Sequence, residues 1–415
     1  MTPLYLVELN EINFDYVQHY CAHGYLPSIT NLIQQHGLTT TVSESNYENI
    51  EPWIQWVSAH TGKTFDEHKI FRLGDIVDSN IEQIWEVLER KGVRVGAISP
   101  MNAVNRLENP SFFIPDPWTL SRISADGATK ALYQAVRQAV SDNSSGRLTA
   151  RSMFGLLMGF VRHVPLERWG HYANLGGHAL KRPWVKAIVL DELLADLFLS
   201  LVRRHSPHFA TIFLNGGAHI QHHYLFSSSA YRGQRKNPEW YVSPGQDPVL
   251  DVFRSYDTFL GRLLKLQPQA RVVMATGLHQ VPYPHETYYW RLKDHEAFLR
   301  WSGISFTSLE ALMSRDFIVH CVDEQAATQA AQLLKEATLG GELRRVFEVD
   351  NRGKSLFCTL AFDAEIEPSV AISINGRRCQ FRRRSRRPIR GPCGCRQCRP
   401  PPSGRRRKCR CSSRS

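Results

Sequence analysis

An α/β protein built as a three-layer sandwich, with a mostly parallel central sheet and an inserted helical cap, is what this 415-residue sequence predicts. Three observations carry the expectation. Apolar runs alternate with helical stretches, as where residues 81–91 lead into "VRVGAIS", and helix-then-strand units of that kind build parallel sheets. Two runs, "HFATIFLN" and "ARVVMATG", are apolar almost throughout, as strands covered on both faces are. Between residues 121 and 183 strand signals stop and helical segments rich in Ala, Leu, Arg and His take over.

The elements follow in order. Residues 4–9 ("LYLVEL") read as the first strand, and the polar "NEINFD" falls at its carboxyl end, where α/β proteins build their sites. Residues 26–36 have helical spacing, 39–43 are extended, and "EPWIQWVSAHTG" reads as a helix opened by Pro52 and closed at Gly62. The spacing gives a helix over 81–91 and a strand over 93–99. Beyond the helical stretch come a long helix (185–204), a buried strand (208–215), a helix (249–266) and another buried strand (270–277). "RDFIVHCV" and "KSLFCTLAF" add further strands. The expected organisation is a core over 1–120, a helical cap over 121–186, the rest of the core over 187–376, and a tail over 377–415.

Hydrophobic residues at 42% and charged residues at 22% describe an ordinary globular chain. No apolar run approaches the roughly 20 residues of a membrane span. The opening "MTPLYLVELNEINFD" has no basic leader region, so cytoplasmic residence is expected. The net charge of +12 is unevenly spread, because residues 377–415 hold sixteen Lys and Arg and no acid, which leaves 35 basic against 39 acidic residues in the body. The body therefore gives no reason to expect a nucleic-acid partner, and such binding enters only through the tail. That tail has no hydrophobic period and is expected to be disordered. An out-of-frame reading of a GC-rich gene yields the same abrupt rise in Arg, Cys, Pro and Gly, and we expect that origin in preference to a binding tail. Cys21, Cys321 and Cys358 are too scattered to make a disulfide framework.

"LNGGAHIQHHYLF" places His219, His222 and His223 within five positions. Imidazole is a common metal ligand and clustered rings repel when protonated, so the group invites a metal reading. Seventeen histidines in the chain make some clustering expected by chance.

Taken in order, these segments resemble the alkaline phosphatase superfamily, particularly its type I phosphodiesterase and nucleotide pyrophosphatase branch, over residues 4–118 and 187–285. "LYLVELNE" has the shape of the family's first strand, with Asn10 where a metal-binding Asp stands. "NIEPWIQWVSAHTGKTFDEHKIF" keeps the Pro, Trp, Thr-Gly and His phrases as Pro52, Trp53, Thr61, Gly62, His68 and Ile70, without a Thr or Ser nucleophile before the Pro. "IEQIWEVLERKGVRVGAISPMNA", "FFIPDPW" and "VFRSYDTFLGRLLK" match the following segments. In "AHIQHHY", His222 takes a ligand position and Ala218 stands for its Asp partner. "VVMATGLHQ" offers Gly277 and Leu278 for an Asp-His pair, with His279 one step later. The family's last His falls where the tail begins.

The resemblance implies a divalent ion, zinc or manganese, and a small anionic or phosphorylated substrate. On it, the candidate metal ligands are Asn10, Glu11, His219, His222, His223 and His279, with Glu51 as the candidate catalytic residue. Asn10 is a weaker ligand than the Asp it replaces. Glu8 and Glu11 flank it, and Glu48 or Glu51 lies near the missing nucleophile, so carboxylates that have migrated along the chain could let an ion activate water directly. Against this, Glu51 beside Pro52 suits a helix N-terminus, Glu8 suits a hydrogen-bonded strand end, and His60 and His68 suit helix-end and loop positions. Two functions follow: a divergent metal-dependent hydrolase or transferase acting on a phosphate ester, phosphodiester or related anionic substrate, or a catalytically inactive relative serving as a binding scaffold.

Overall fold

The computed structural model describes the chain except residues 45, 47–48, 142–148, 240, 283–289, 293, 313–314, 341–344, 364–365, 367–369, 381–394 and 398–415. Glu48 and most of the tail thus lie outside the described residues. The chain divides into two compact units, one of residues 1–130, 159–283 and 395–415, the other of residues 131–158 and 284–394.

The first unit is built on strands β1 (Leu4–Leu9), β2 (Val95–Ile98), β3 (Phe112–Ile114), β4 (Phe209–Leu214) and β5 (Arg271–Ala275). They form one parallel sheet in the order β3-β2-β4-β1-β5. The α/β class with a parallel central sheet is what the chain adopts. All six residues of β4 are buried, which is why its run is apolar without alternation. A Cβ on Gly96 would lie 2.4 Å from the Phe112 ring, so β2 and β3 pair as they do only with glycine there.

Helices cover both faces of this sheet. Before β2 come α1 (Phe14–Ala22), α2 (Pro27–His36), α3 (Pro52–Thr61), α4 (Phe65–His68) and α5 (Ile84–Arg90). Pro52 opens α3 and Gly62 closes it in the left-handed conformation at φ 66°. Helix α5 starts at Ile84 rather than at 81, because Gln83 and Glu86 form a capping box that fixes the first turn there. Residues 39–43 lie outside any regular element. After β3 the first unit continues in α8 (Trp169–Ala179) and α9 (Val185–His205), and α10 (Gly216–Tyr224) and α11 (Pro248–Leu266) separate β4 from β5; the intervening α6 (Gly127–Ser141) and α7 (Ala150–His163) belong for the most part, over residues 131–158, to the second unit. Tyr5 meets Phe198 of α9 on one face of the sheet, and Leu6 packs against the Trp85 cluster on the other. Arg168 ties α8 to α9 through Glu192 (2.5 Å) and Asp196 (2.9 Å), and Arg262 of α11 joins Asp196 at 2.5 Å.

Strand β5 differs from its sequence reading. It was expected to be buried, yet Val273 is 47% exposed, because β5 is the edge of the five-stranded sheet and, among the described residues, pairs with β1 alone. Beyond it lies β6 (Gln280–Pro282), and Cys395–Gln397 pairs antiparallel with β6.

The second unit contains α12 (His295–Ser302), β7 (Ser308–Ala311), β8 (Asp316–His320), α13 (Glu324–Lys335), β9 (Thr338–Leu339), β10 (Phe347–Asn351), β11 (Ser355–Leu360), β12 (Ala371–Ile374) and β13 (Arg377–Gln380). Its sheets are antiparallel, β10-β11-β8-β7 and β13-β12-β9. β11 alternates strictly in burial and packs Leu356, Cys358 and Leu360 with Phe317, Val319 and Leu334. Regular structure runs through Gln380, four residues into the segment expected to be a tail. Among the described residues no helix is long and apolar enough to cross a membrane.

Candidate functional site

The carboxyl ends of β1 and β4 are neighbours, Leu9 opposite Leu214. The parallel ladder continues one residue further, with the Asn10 amide donating to the Leu214 carbonyl at 3.0 Å. Alternation along β1 sends Tyr5, Val7 and Leu9 to one face and Glu8 and Asn10 to the face that carries α3. There the Trp56 indole donates to Asn10 Oδ1 at 2.9 Å, while Asn10 Nδ2 donates to Asn215 Oδ1 at 2.8 Å. Both ends of the Asn10 carboxamide are therefore engaged by neutral groups. Glu8, fully buried, meets His60 Nε2 at 3.1 and 3.2 Å and accepts from Thr211 Oγ1 at 2.5 Å. The His68 ring is engaged at both nitrogens, by Ser58 Oγ (3.1 Å) and the Ile70 amide (2.9 Å).

Glu11 turns the chain with a left-handed φ of 52°. That conformation is uncommon for a residue with a side chain and marks a position fixed by its surroundings. The turn aims the carboxylate at α10, where Glu11 Oε2 meets His222 Nε2 at 2.8 Å and accepts from Gln280 Nε2 at 2.6 Å. Buried amides enclose the pair. Gln221 donates to the Glu11 carbonyl (2.8 Å) and accepts from the Asn13 amide (3.0 Å), and Asn13 Nδ2 donates to the Gln280 carbonyl (2.6 Å). The Glu11 side chain is 3% exposed and that of His222 is 36% exposed, so the imidazole is the accessible member of the dyad.

The glycines of "NGG" set α10 in place. A Cβ on Gly216 would lie 2.6 Å from Asp191 Oδ2, and one on Gly217 would lie 2.3 Å from Ile12 Cδ1. The Gly216 amide donates to Asp191 Oδ2 (2.8 Å), the Gly217 amide to the Tyr256 hydroxyl (2.7 Å), and that hydroxyl to Asp191 Oδ2 (2.6 Å). Burial pushes the Asp191 carboxyl up to about 6, against the opposing pull of these donors.

A pH dependence follows from Asp191. Its pKa is raised above the ordinary 3.8, so between about 4 and 6 the folded chain binds more protons than the unfolded one and unfolding free energy falls as pH rises. Above that window the charged carboxylate subtracts on the order of 3 kcal/mol. His223, pulled down to about 3 by burial, acts with the opposite sign between that value and 6.5. The readout is therefore a difference: Asp191→Asn should lose this falling component in urea titrations at pH 4 to 6, and equal slopes in both proteins would refute the assignment.

The sequence candidates are distributed over four places. Asn10, Glu11 and His222 come together at the ends of β1 and β4. His219 and His223 instead lie against each other, ring centroids 4.8 Å apart, and burial lowers the pKa of each; His219 still reaches solvent. His223 Nδ1 is buried and has no partner among the described residues. His279 is half-buried beside Gln280, its pKa lowered by burial against the pull of Asp15. Glu51 is the N-cap of α3, where its carbonyl accepts from the Ile54 and Gln55 amides at 3.0 Å and its side chain makes no capping bond. Sequence reading missed Trp56, Asn215, Gln221 and Gln280. Neutral amides and an indole carry no catalytic or ligating signal, and only their contacts reveal them.

A divalent ion does not fit this centre in the way the family resemblance implies. Asn10 is a neutral carboxamide whose oxygen already accepts from the Trp56 indole and whose nitrogen donates to Asn215, Ala218 supplies no ligand atom, and a Cβ on Gly277 would lie 3.3 Å from the Trp56 indole. Among the described residues no three His, Cys, Asp or Glu side chains are grouped to hold a metal.

No protein-family model matches the chain, and no curated protein does. Among solved structures it is similar to phosphonoacetate hydrolase from Sinorhizobium meliloti 1021 in complex with phosphonoformate, at 13% identity over 87% of this chain and 82% of that one, with a TM-score of 0.40. The same enzyme in complex with phosphonoacetate gives 13% identity, the same coverage and a TM-score of 0.39. Scores this low carry nothing over to the site described above.

Proposed function

We propose that the chain is a divergent member of the alkaline phosphatase superfamily, a hydrolase or transferase acting on a phosphate ester, phosphodiester or related anionic substrate through the Glu11–His222 dyad. The observation that carries this reading is the 2.8 Å contact between a buried carboxylate and a half-exposed imidazole, supplied by two chain segments that the resemblance had assigned to one site. Glu11 fixes the ring, and His222 takes a proton from water as its oxygen attacks phosphorus. The bond to the leaving group breaks, and the proton passes to the departing alkoxide. What the dyad itself supplies is removal of a proton from the attacking water. That favours diesters, whose attack depends more on deprotonating the nucleophile.

Two observations favour the second reading, a binding scaffold without turnover: Trp56 and Asn215 occupy both ends of Asn10, and the residue directly before Pro52 is Glu51 rather than Thr or Ser. A panel of phosphomonoesters and phosphodiesters, run with and without EDTA and paired with metal analysis, separates the two. Turnover that survives EDTA in protein holding no stoichiometric zinc or manganese is expected. Absence of turnover, with a melting temperature raised by a phosphorylated ligand, would establish the scaffold instead.

A further inference from the structure

Helix α7, "ARSMFGLLMGFVRH", is amphipathic but presents the wrong side to solvent for a helix that serves only the fold. Its small residues are inside: Gly155 and Gly159 are buried, and a Cβ on Gly155 would lie 2.6 Å from the Ala131 carbonyl oxygen of α6. His163, one turn beyond Gly159, is buried between Ser200 Oγ (3.1 Å) and Thr129 Oγ1 (2.9 Å). The large apolar side chains lie opposite. Met153, Phe154, Leu157, Met158 and Val161, at i, i+1, i+4, i+5 and i+8, form one stripe and are 61, 63, 58, 42 and 53% exposed.

The segment that carries the stripe is basic in sequence, which bears on what would cover it. Residues 121–186 carry ten Lys and Arg against three acids, a net of +7, whereas the rest of residues 1–376 holds 25 basic against 36 acidic residues. Arg151 and Arg162 flank the stripe at the two ends of the helix and are exposed. Beyond α7, Leu166 is 76% exposed and Trp169 packs on Phe160 at 5.5 Å while remaining accessible. A Met, Phe, Leu and Val face bordered by arginines, with a tryptophan at its margin, is the make-up of a helix that lies in the plane of an anionic bilayer. A second copy of the chain fits less well, since each stripe is flanked by exposed arginines of one sign. At fourteen residues α7 is too short to cross a bilayer, so it lies on the surface.

We propose that α7 docks this protein on anionic membrane surfaces, its apolar stripe entering the boundary between headgroups and acyl chains. The full chain should co-sediment with phosphatidylcholine vesicles containing about 30% phosphatidylglycerol, less so in high salt, and little with phosphatidylcholine alone. The pair Phe154→Ser and Leu157→Ser should weaken that partitioning at least about tenfold. Both side chains are exposed, so the melting temperature should hold.

Residues 377–415 carry sixteen cations, charge enough to attract anionic lipid without α7, so penetration is the deciding readout. Phe154→Trp should show a blue-shifted emission and quenching by brominated acyl chains, in excess of the unsubstituted chain with its nine tryptophans. Vesicle binding without that quenching, or unaffected by the serine pair, would overturn the proposal in favour of the tail. Self-association in light scattering that the serine pair abolishes, with no vesicle binding, would overturn it in favour of a second copy.

Discussion

Replacing His222 by Ala is expected to lower phosphodiester turnover by about 10²- to 10⁴-fold, the range that a positioned general base contributes. Protein stability should change little beside this. The ring is 36% exposed, and Glu11 keeps the Gln280 amide at 2.6 Å when the imidazole is gone. The loss should fall on kcat rather than KM, because the proton moves only in the reacting complex. Added imidazole should restore part of the rate, which a purely structural role would not allow. Glu11→Gln keeps the shape and removes the charge that orients the ring, so its kcat should fall by less. A His222→Ala protein with undiminished kcat on the best substrate would remove the dyad from the mechanism.

The largest stability effect is expected at Trp56. The indole is 2% exposed, lies edge-on to Phe213 at 5.5 Å, and supplies the donor to Asn10. Trp56→Ala opens a cavity beneath the sheet's carboxyl end and should cost about 3–5 kcal/mol in urea unfolding. Trp56→Phe separates packing from hydrogen bonding. It keeps most of the ring volume but withdraws the donor from a buried carboxamide oxygen, at a cost of about 1–3 kcal/mol. If both variants unfold at the urea concentration of the unsubstituted chain, Trp56 is not the group that fills this centre.

The site was legible in the sequence in proportion to the charge of its residues. Glu11 and His222 stand out because a carboxylate after a strand and clustered imidazoles are recognisable types, and the segments that hold them were expected at strand ends. Asn10 was legible as a position but misleading as chemistry, since a carboxamide in a ligand slot suggests a weakened ligand until the Trp56 and Asn215 contacts are seen. Glu8 and His60 show the reverse: two titratable side chains near the site turn out to be bonded to each other inside the fold. His219 and His223 share the sequence neighbourhood of His222 but lie against one another, as side chains four apart on a helix can.

Local pattern settled much of the first unit, from the unbroken apolar run of β4 to Pro52 and Gly62 at the ends of α3, because periodicity, proline and glycine act on the residues next to them; α1, β3 and α10 were not read from it. Which strand became an edge was decided only by the sheet, since the exposure of Val273 depends on β5 having a neighbour on one side. The partner of each polar side chain was decided in the same way. The contacts Asn10–Trp56, Glu11–His222 and Glu11–Gln280 span 46, 211 and 269 positions, and no local preference can specify pairings that arise only when distant segments close on one sheet end.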